Sequence, residues 1–308
     1  MKKFILYTFL FLLPVIICFI LLEWTVRHIP SSYAYKAELI KQNSNGAQVL
    51  ILGSSLAYCH INPDSLSLPA INLANSAQPL NYDKFLFDRY AGDMSKLEYV
   101  ILPITYFTFA TDLEAYIGVG RDVYYAQFLK YPYPLKPEYY FQSWNIREVF
   151  RRMKLYYIDH KEDIEFDCRP NGFCALSVER RLAAGKDWDN GTKVATGYRK
   201  LNDRYMAQRT ADCARTIEQM ANQCAERGIS MILYTPPVTR KFRHAMDSTQ
   251  WNTILQTTHQ IVAAHPNVSY YDFIDNKEFS DDDFKDADHL LESGANKLTR
   301  LINTILTQ

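Results

Sequence analysis

The chain has 308 residues, 48% of them hydrophobic, enough to bury a sizeable core. Its 34 basic and 34 acidic side chains cancel, which excludes the strongly basic binders of nucleic acid and leaves no nucleic acid among the expected partners. Aromatic residues are the unusual component: there are 22 Tyr and 17 Phe, many of them between positions 99 and 157.

Residues 4–22, FILYTFLFLLPVIICFILL, form an uncharged apolar run preceded by Lys2 and Lys3. As a helix, that length crosses ~30 Å of hydrocarbon, and membrane helices tolerate a proline such as Pro14. The run ends in Glu23-Trp24-Thr25-Val26-Arg27, with none of the small residues that mark a signal-peptide cleavage site. Residues 1–27 therefore read as an uncleaved single-pass anchor. Trp24 sits at the interface, Lys2 and Lys3 on the cytoplasmic side, and the rest of the chain outside. Residues 28–47 are polar and read as a tether.

Five short apolar segments then follow, at 49–52, 69–73, 98–104, 229–234 and 268–272, each with the character of a buried strand. Helical patterns lie between or after them at 82–92, 207–227, 249–264 and 292–306. Strands separated by helices imply a parallel sheet with helices on both faces. The alternation breaks between 107 and 205, a stretch rich in tyrosine that is too long for one connection, so an inserted, aromatic-rich helical cap is expected there. Cys168 and Cys174 flank a turn inside that stretch, spaced for a small disulfide loop. Arg240, Lys241 and Arg243, beyond the fourth strand, form a basic turn suited to solvent or to an anionic polymer.

Two places carry chemistry. Gly53-Ser54-Ser55 closes the first strand, and a serine at the carboxyl end of a parallel strand, opening a helix, presents its hydroxyl beside unpaired backbone N–H groups. That placement suits a nucleophile. It equally suits a serine that only N-caps the helix. Far downstream, Asp286 and His289 are three residues apart in a turn, where a carboxylate can hold one imidazole nitrogen while the other faces outward, as a general base requires. An acidic loop with an incidental histidine would look the same. The other histidines, His60 included, read as structural or surface residues.

Together these pieces resemble the SGNH/GDSL hydrolase superfamily, from about residue 48 to the C-terminus. The resemblance rests on Gly53-Ser54-Ser55, on Asn72-Leu73-Ala74-Asn75-Ser76-Ala77-Gln78, on Thr235-Pro236-Pro237, and on Asp286-Ala287-Asp288-His289-Leu290 followed by Gly294-Ala295. With its N-terminal anchor, the layout is similar to the membrane-anchored branch that includes DltD-like and alginate-acetylation-type proteins. The resemblance implies an α/β, flavodoxin-like three-layer α/β/α fold with a five-stranded parallel sheet, with Ser55 as nucleophile, His289 as base and Asp286 as its orienting partner. Two departures bear on the oxyanion hole, whose expected donors are the backbone N–H groups of Ser55 and Ala77. Ala77 stands where the family usually has glycine. No asparagine follows the third strand, where Thr105 or Tyr106 is left as a substitute. The nucleophile elbow of another hydrolase fold, G-x-S-x-G, is nearly spelled by Gly53 to Ala57, but that fold places several strands before its serine.

The implied function is a serine acyl-ester hydrolase or O-acyltransferase acting on a cell-envelope glycan, through an acyl-Ser55 intermediate, at the outer face of a bacterial inner membrane. The alternative is a non-catalytic accessory protein of a membrane-bound O-acyltransferase or polymer-export system. No cofactor is expected, because no glycine-rich phosphate-binding pattern follows any strand. No metal is expected either, because Asp286, Asp288 and His289 lack a second histidine or cysteine cluster at matching spacing.

Overall fold

The structure is a computed structural model that describes residues 1–110, 121–161, 163, 168–182, 185 and 188–307. The parts of the expected cap at 111–120, 162, 164–167, 183–184 and 186–187 lie outside the described residues. The chain divides into two compact units, one made of Met1–Ala37 and Val119–Asp167, the other of Glu38–Gly118 and Cys168–Gln308.

The larger unit is α/β. Its five strands, β1 (Val49–Ile51), β2 (Ala70–Asn72), β3 (Tyr99–Pro103), β4 (Ser230–Thr235) and β5 (Val268–Asp272), form one sheet in the order β2-β1-β3-β4-β5. Every pairing is parallel, with Leu50 opposite Ile71 on one side and opposite Val100 on the other. The alternating residues of β1 explain the layering. Val49 and Ile51 share a cluster with Ile101, Ile232 and Tyr234 and with Ala295, Leu298 and Ile302 of the C-terminal helix Glu292–Leu306. Leu50, Val100 and Leu233 point the other way and are buried as well, so both faces of the sheet are covered, as an all-parallel sheet requires. The chain leaves β1 toward β2 and returns on the other side to β3. That reversal opens a crevice at the carboxyl end of β1, the usual place for ligands in such sheets.

Three expectations need correction. The stretch read as a tether is mostly helix, Ser32–Asn43: Ser31 Oγ accepts the Ala34 N–H and starts it, and Tyr33, Lys36, Leu39 and Ile40 are buried along it. Their polar neighbours hide this spacing from a reading of composition. The helix expected from 207 begins much earlier, running Gly191–Glu226 without a proline to stop it. The cap is accordingly smaller than 107–205: only Val119–Asp167 separates from the sheet-bearing unit. Cys59, Cys168 and Cys174 all lie in the main buried cluster.

The smaller unit begins with the helix Lys2–Arg27, which contains Pro14. It is the one described helix long and apolar enough to cross a membrane, and none of its most apolar window is buried. Residues Asp122–Gln127, Pro137–Tyr140 and Ile146–Met153 add short helices to this unit, the last continuing into a π-helical turn, Lys154–Ile158.

Candidate active site

The turn after β1 is fixed by backbone constraints. Gly53 has φ +122, a region that residues with a Cβ rarely enter. A methyl group there would also meet the Pro103 ring at 2.5 Å. Its N–H donates to the buried Asp83 Oδ1 at 2.7 Å, which also accepts from Gln78 Nε2 at 2.6 Å. The short helix Ser55–Tyr58 follows, and its cap is Ser54, whose Oγ accepts the Leu56 N–H at 3.4 Å. Capping therefore falls to Ser54 and leaves the Ser55 hydroxyl for other work. Ser55 Oγ lies 2.9 Å from His289 Nε2, across 234 residues of sequence.

His289 projects from a pinched loop. Phe284 and Leu290 pair as an antiparallel bridge, and Lys285 N–H donates to His289 C=O at 2.8 Å. Within this loop Asp286 Oδ1 accepts both the His289 N–H at 3.0 Å and a hydrogen bond from the ring Nδ1 at 2.8 Å. Its other oxygen meets Lys285 Nζ at 2.6 Å. Asp288, buried, brings a second carboxylate to 3.2 Å from Nδ1 and accepts a hydrogen bond from Tyr198 OH at 3.1 Å. Two carboxylates on Nδ1 place the ring proton there. In the neutral imidazole, the Nε2 lone pair then faces Ser55.

Charge in this loop is strongly arranged. Burial works against the His289 cation, but Asp286 and then Asp288 more than offset it, so its pKa is raised above the ordinary histidine value. Burial likewise opposes the Asp286 anion, yet the His289 charge and hydrogen bond, then Lys285, hold its carboxyl well below the usual range. Behind the loop stands His60, completely buried, accepting the Leu290 N–H on Nε2 at 3.1 Å. That bond puts the His60 proton on Nδ1, which has no partner among the described residues. Burial first, and the nearby His289 charge second, keep its pKa well below 6.5 and the ring neutral. The two rings cross almost at right angles, 6.3 Å apart.

Two backbone N–H groups beside Ser55 are uncommitted. Neither Ser55 nor Ala77 donates its N–H to any described group. Ala77 belongs to a turn closed by Gln78 N–H to Asn75 C=O at 3.1 Å, and the Asn75 N–H ties that turn to Gly53 C=O at 3.1 Å. Its φ of 50 is left-handed, at a position where glycine would be relaxed and alanine costs roughly 1–2 kcal/mol. Thr105, the expected third donor, gives its N–H to Thr108 Oγ1 at 2.7 Å, and the two hydroxyls lie 2.9 Å apart. That pairing commits the backbone N–H of Thr105, two residues beyond the end of β3, to Thr108. Tyr106 is likewise committed, donating to Gln250 at 2.6 Å and accepting the Asp247 N–H.

A cleft of about 700 Å³ opens beside His289, Asp286 and Asp288. Its far wall is one face of the helix Gly191–Glu226, which contributes Lys193, Tyr198, Lys200, Arg204 and Tyr205. Lys193, Lys200 and Arg204 form no ion pair among the described residues. The basic residues after β4, expected in a turn, lie on the short helix Arg240–Ala245 and behave differently, with Arg243 3.1 Å from Asp275 and Lys241 3.6 Å from Asp189. The ligand atoms of Asp286, Asp288 and His289 lie within 4.8 Å of one another. The Lys285 ammonium already occupies one face of Asp286 and disfavours a further cation there.

The structure thus brings Ser55, His289 and Asp286 together, and it gives the Thr105 N–H to Thr108. His60, Asp288 and Tyr198 were missed as site residues. Asp288 has a sequence signal, since it adjoins His289, but spacing alone cannot decide which of two nearby aspartates faces a ring nitrogen. His60 and Tyr198 act through long-range contacts and leave no local signature. No protein-family model matches this chain, and no curated protein matches it.

Proposed function

We propose that the chain is a membrane-anchored serine acyl-ester hydrolase or O-acyltransferase of the SGNH/GDSL type, with a flavodoxin-like three-layer domain outside a bacterial inner membrane. The observation that carries the reading is the 2.9 Å contact between Ser55 Oγ and His289 Nε2, backed by Asp286 on the opposite ring nitrogen. A hydroxyl, an imidazole and a carboxylate in that order are the parts of nucleophilic acyl transfer.

The chemistry follows from the geometry. Neutral His289 takes the Ser55 proton as Oγ attacks the ester carbonyl carbon. The carbonyl oxygen becomes an anion, and the Ser55 and Ala77 N–H groups are the donors available to it. As the C–O bond to the leaving alcohol breaks, imidazolium His289 returns the proton to that oxygen, leaving acyl-Ser55. Water completes hydrolysis, or a sugar hydroxyl completes transfer: His289 removes its proton, and Ser55 Oγ departs and is reprotonated. Asp286 and Asp288 stabilise the imidazolium in both halves. The substrate lies along the cleft, where Lys193, Lys200 and Arg204 favour an acyl-bearing glycan with anionic groups.

The test is mass spectrometry of the folded protein after exposure to an activated acetyl ester. An acetyl increment on Ser55 that disappears in Ser55→Ala supports the reading; no increment on Ser55 counts against it. One observation favours a second reading. With its N–H given to Thr108, Thr105 offers no backbone donor to the oxyanion site, and losing one donor typically costs ~10²–10³ in kcat. A non-catalytic accessory role beside a membrane-bound O-acyltransferase would tolerate that loss. Full complementation of a deletion strain by Ser55→Ala would establish it over catalysis.

A further inference from the structure

The smaller unit exposes apolar side chains that water would not favour. In the helix Ile146–Met153 the apolar residues Ile146, Val149, Phe150 and Met153 recur at helical spacing. Val149 packs against Val26 and Ile29, flanked by Leu22 and Met153, but Phe150 is 59% exposed. Around this helix, Trp144 is 60% and Ile158 71% exposed. Several large apolar side chains left this exposed on one short segment mark an interaction surface.

The height of this patch along the first helix can be read from its contacts. The Phe141 ring packs edge-on against Phe19 at 5.4 Å, and Phe19 lies three residues, ~4.5 Å of helix rise, inside the end of the apolar run at Leu22. Tyr157 OH donates to Thr25 C=O at 3.3 Å, a similar rise beyond that end. Between these levels Glu23, buried, accepts the Gln142 and Ser143 N–H groups at 3.2 and 2.9 Å and the Ser143 hydroxyl at 2.6 Å. These bonds pin the segment to the helix at one register. The exposed aromatics therefore straddle the point where the hydrophobic run meets polar sequence. Trp and Tyr rings are favoured at that depth of a bilayer, because one end is apolar and the other wet.

We propose that residues 141–158 form a collar embedded in the interfacial layer of the membrane around the emerging helix, with phospholipid as its occupant. The inference rests on reading Lys2–Arg27 as a membrane anchor, and goes beyond it: a bare anchor needs no collar. Lipid is favoured over a protein partner because the patch is matched to this depth, pairs aromatic rings with polar tips, and adds the exposed Arg147 for anionic headgroups.

The experiment uses the full chain in lipid nanodiscs, comparing ordinary phospholipid with phospholipid brominated high on the acyl chain. The emission of Trp144 is taken as the difference between wild type and Trp144→Phe, and that of Trp24 from Trp24→Phe; Trp251, buried in the α/β unit, is the reference. The proposal expects a roughly twofold loss of Trp144 emission in the brominated lipid, as for a ring ~5–10 Å into the headgroup boundary. Quenching of Trp24 with Trp144 unaffected overturns the collar and leaves the anchor standing, which is also the outcome expected if a protein covers the patch. Quenching of neither overturns the collar and the anchor together.

Discussion

The two halves of the candidate site are held in place by different forces. The serine turn is set by shape: Gly53 occupies a conformation reserved for glycine, pressed against Pro103, and Ser54 takes the cap. The histidine loop is set by charge: His289 is held between two carboxylates, one of which also meets Lys285. The Ser55 proton is taken and returned by its partner, so the turn has chiefly to fix a position, whereas the base must itself gain and lose a charge during the reaction. Steric placement suits the first and electrostatic placement the second. Substitutions in the serine turn should therefore register in stability, and those in the histidine loop in rate and pH dependence.

The largest expected effect is in the loop. Asp286→Asn should lower the rate of Ser55 acylation by ~10⁴ and cost the fold only the stabilisation of the charged pair, which disappears as pH rises through the raised His289 value; a stability loss that persists above that pH would contradict the division of labour. In the turn, Gly53→Ala must both adopt φ +122 and displace Pro103. It should destabilise the fold by roughly 3 kcal/mol, measured by denaturant unfolding. A fully stable variant would break the contrast.

A subtler test is the pH profile. His289 acts as a base only when neutral, and Asp286 and Asp288 raise its pKa, so the acylation rate should climb with pH through a value above the ordinary ~6.5. The stabilisation from the charged pair runs the opposite way: full below that ordinary value, and lost as pH rises through the raised one. Removing one carboxylate in Asp288→Asn should move the rising limb to lower pH, read from acylation rate against pH. A limb that stays put would show that Asp288 does not act on the ring. The smallest effect is Ala77→Gly. Relief of the left-handed alanine is offset in part by the ~0.4–1 kcal/mol greater chain entropy of glycine, so stability should change by between zero and about 1.6 kcal/mol.

The same contrast explains what was legible in the sequence. The strands were, because 49–52 and 231–234 are continuous apolar runs, and so was Ser55, because glycine before a strand-end serine is a local pattern. Asp286 and His289 were legible as a pair because they interact across one turn. His60 was not, since its role comes from accepting the Leu290 N–H from 230 residues away. Nor was the diversion of Thr105, which depends on the rotamer that brings Thr108 beneath it. The helix Ser32–Asn43 was masked by its polar composition, although Tyr33, Leu39 and Ile40 carry its buried stripe.

The most direct measurement is the reaction of the folded chain with a serine-directed fluorophosphonate, mapped by peptide mass spectrometry in the wild type and in His289→Gln. A Ser55 hydroxyl activated by His289 predicts a single adduct on Ser55, formed in the wild type and lost or greatly slowed in the variant. No adduct on Ser55, or one that forms as fast without His289, would contradict the pairing on which the account stands.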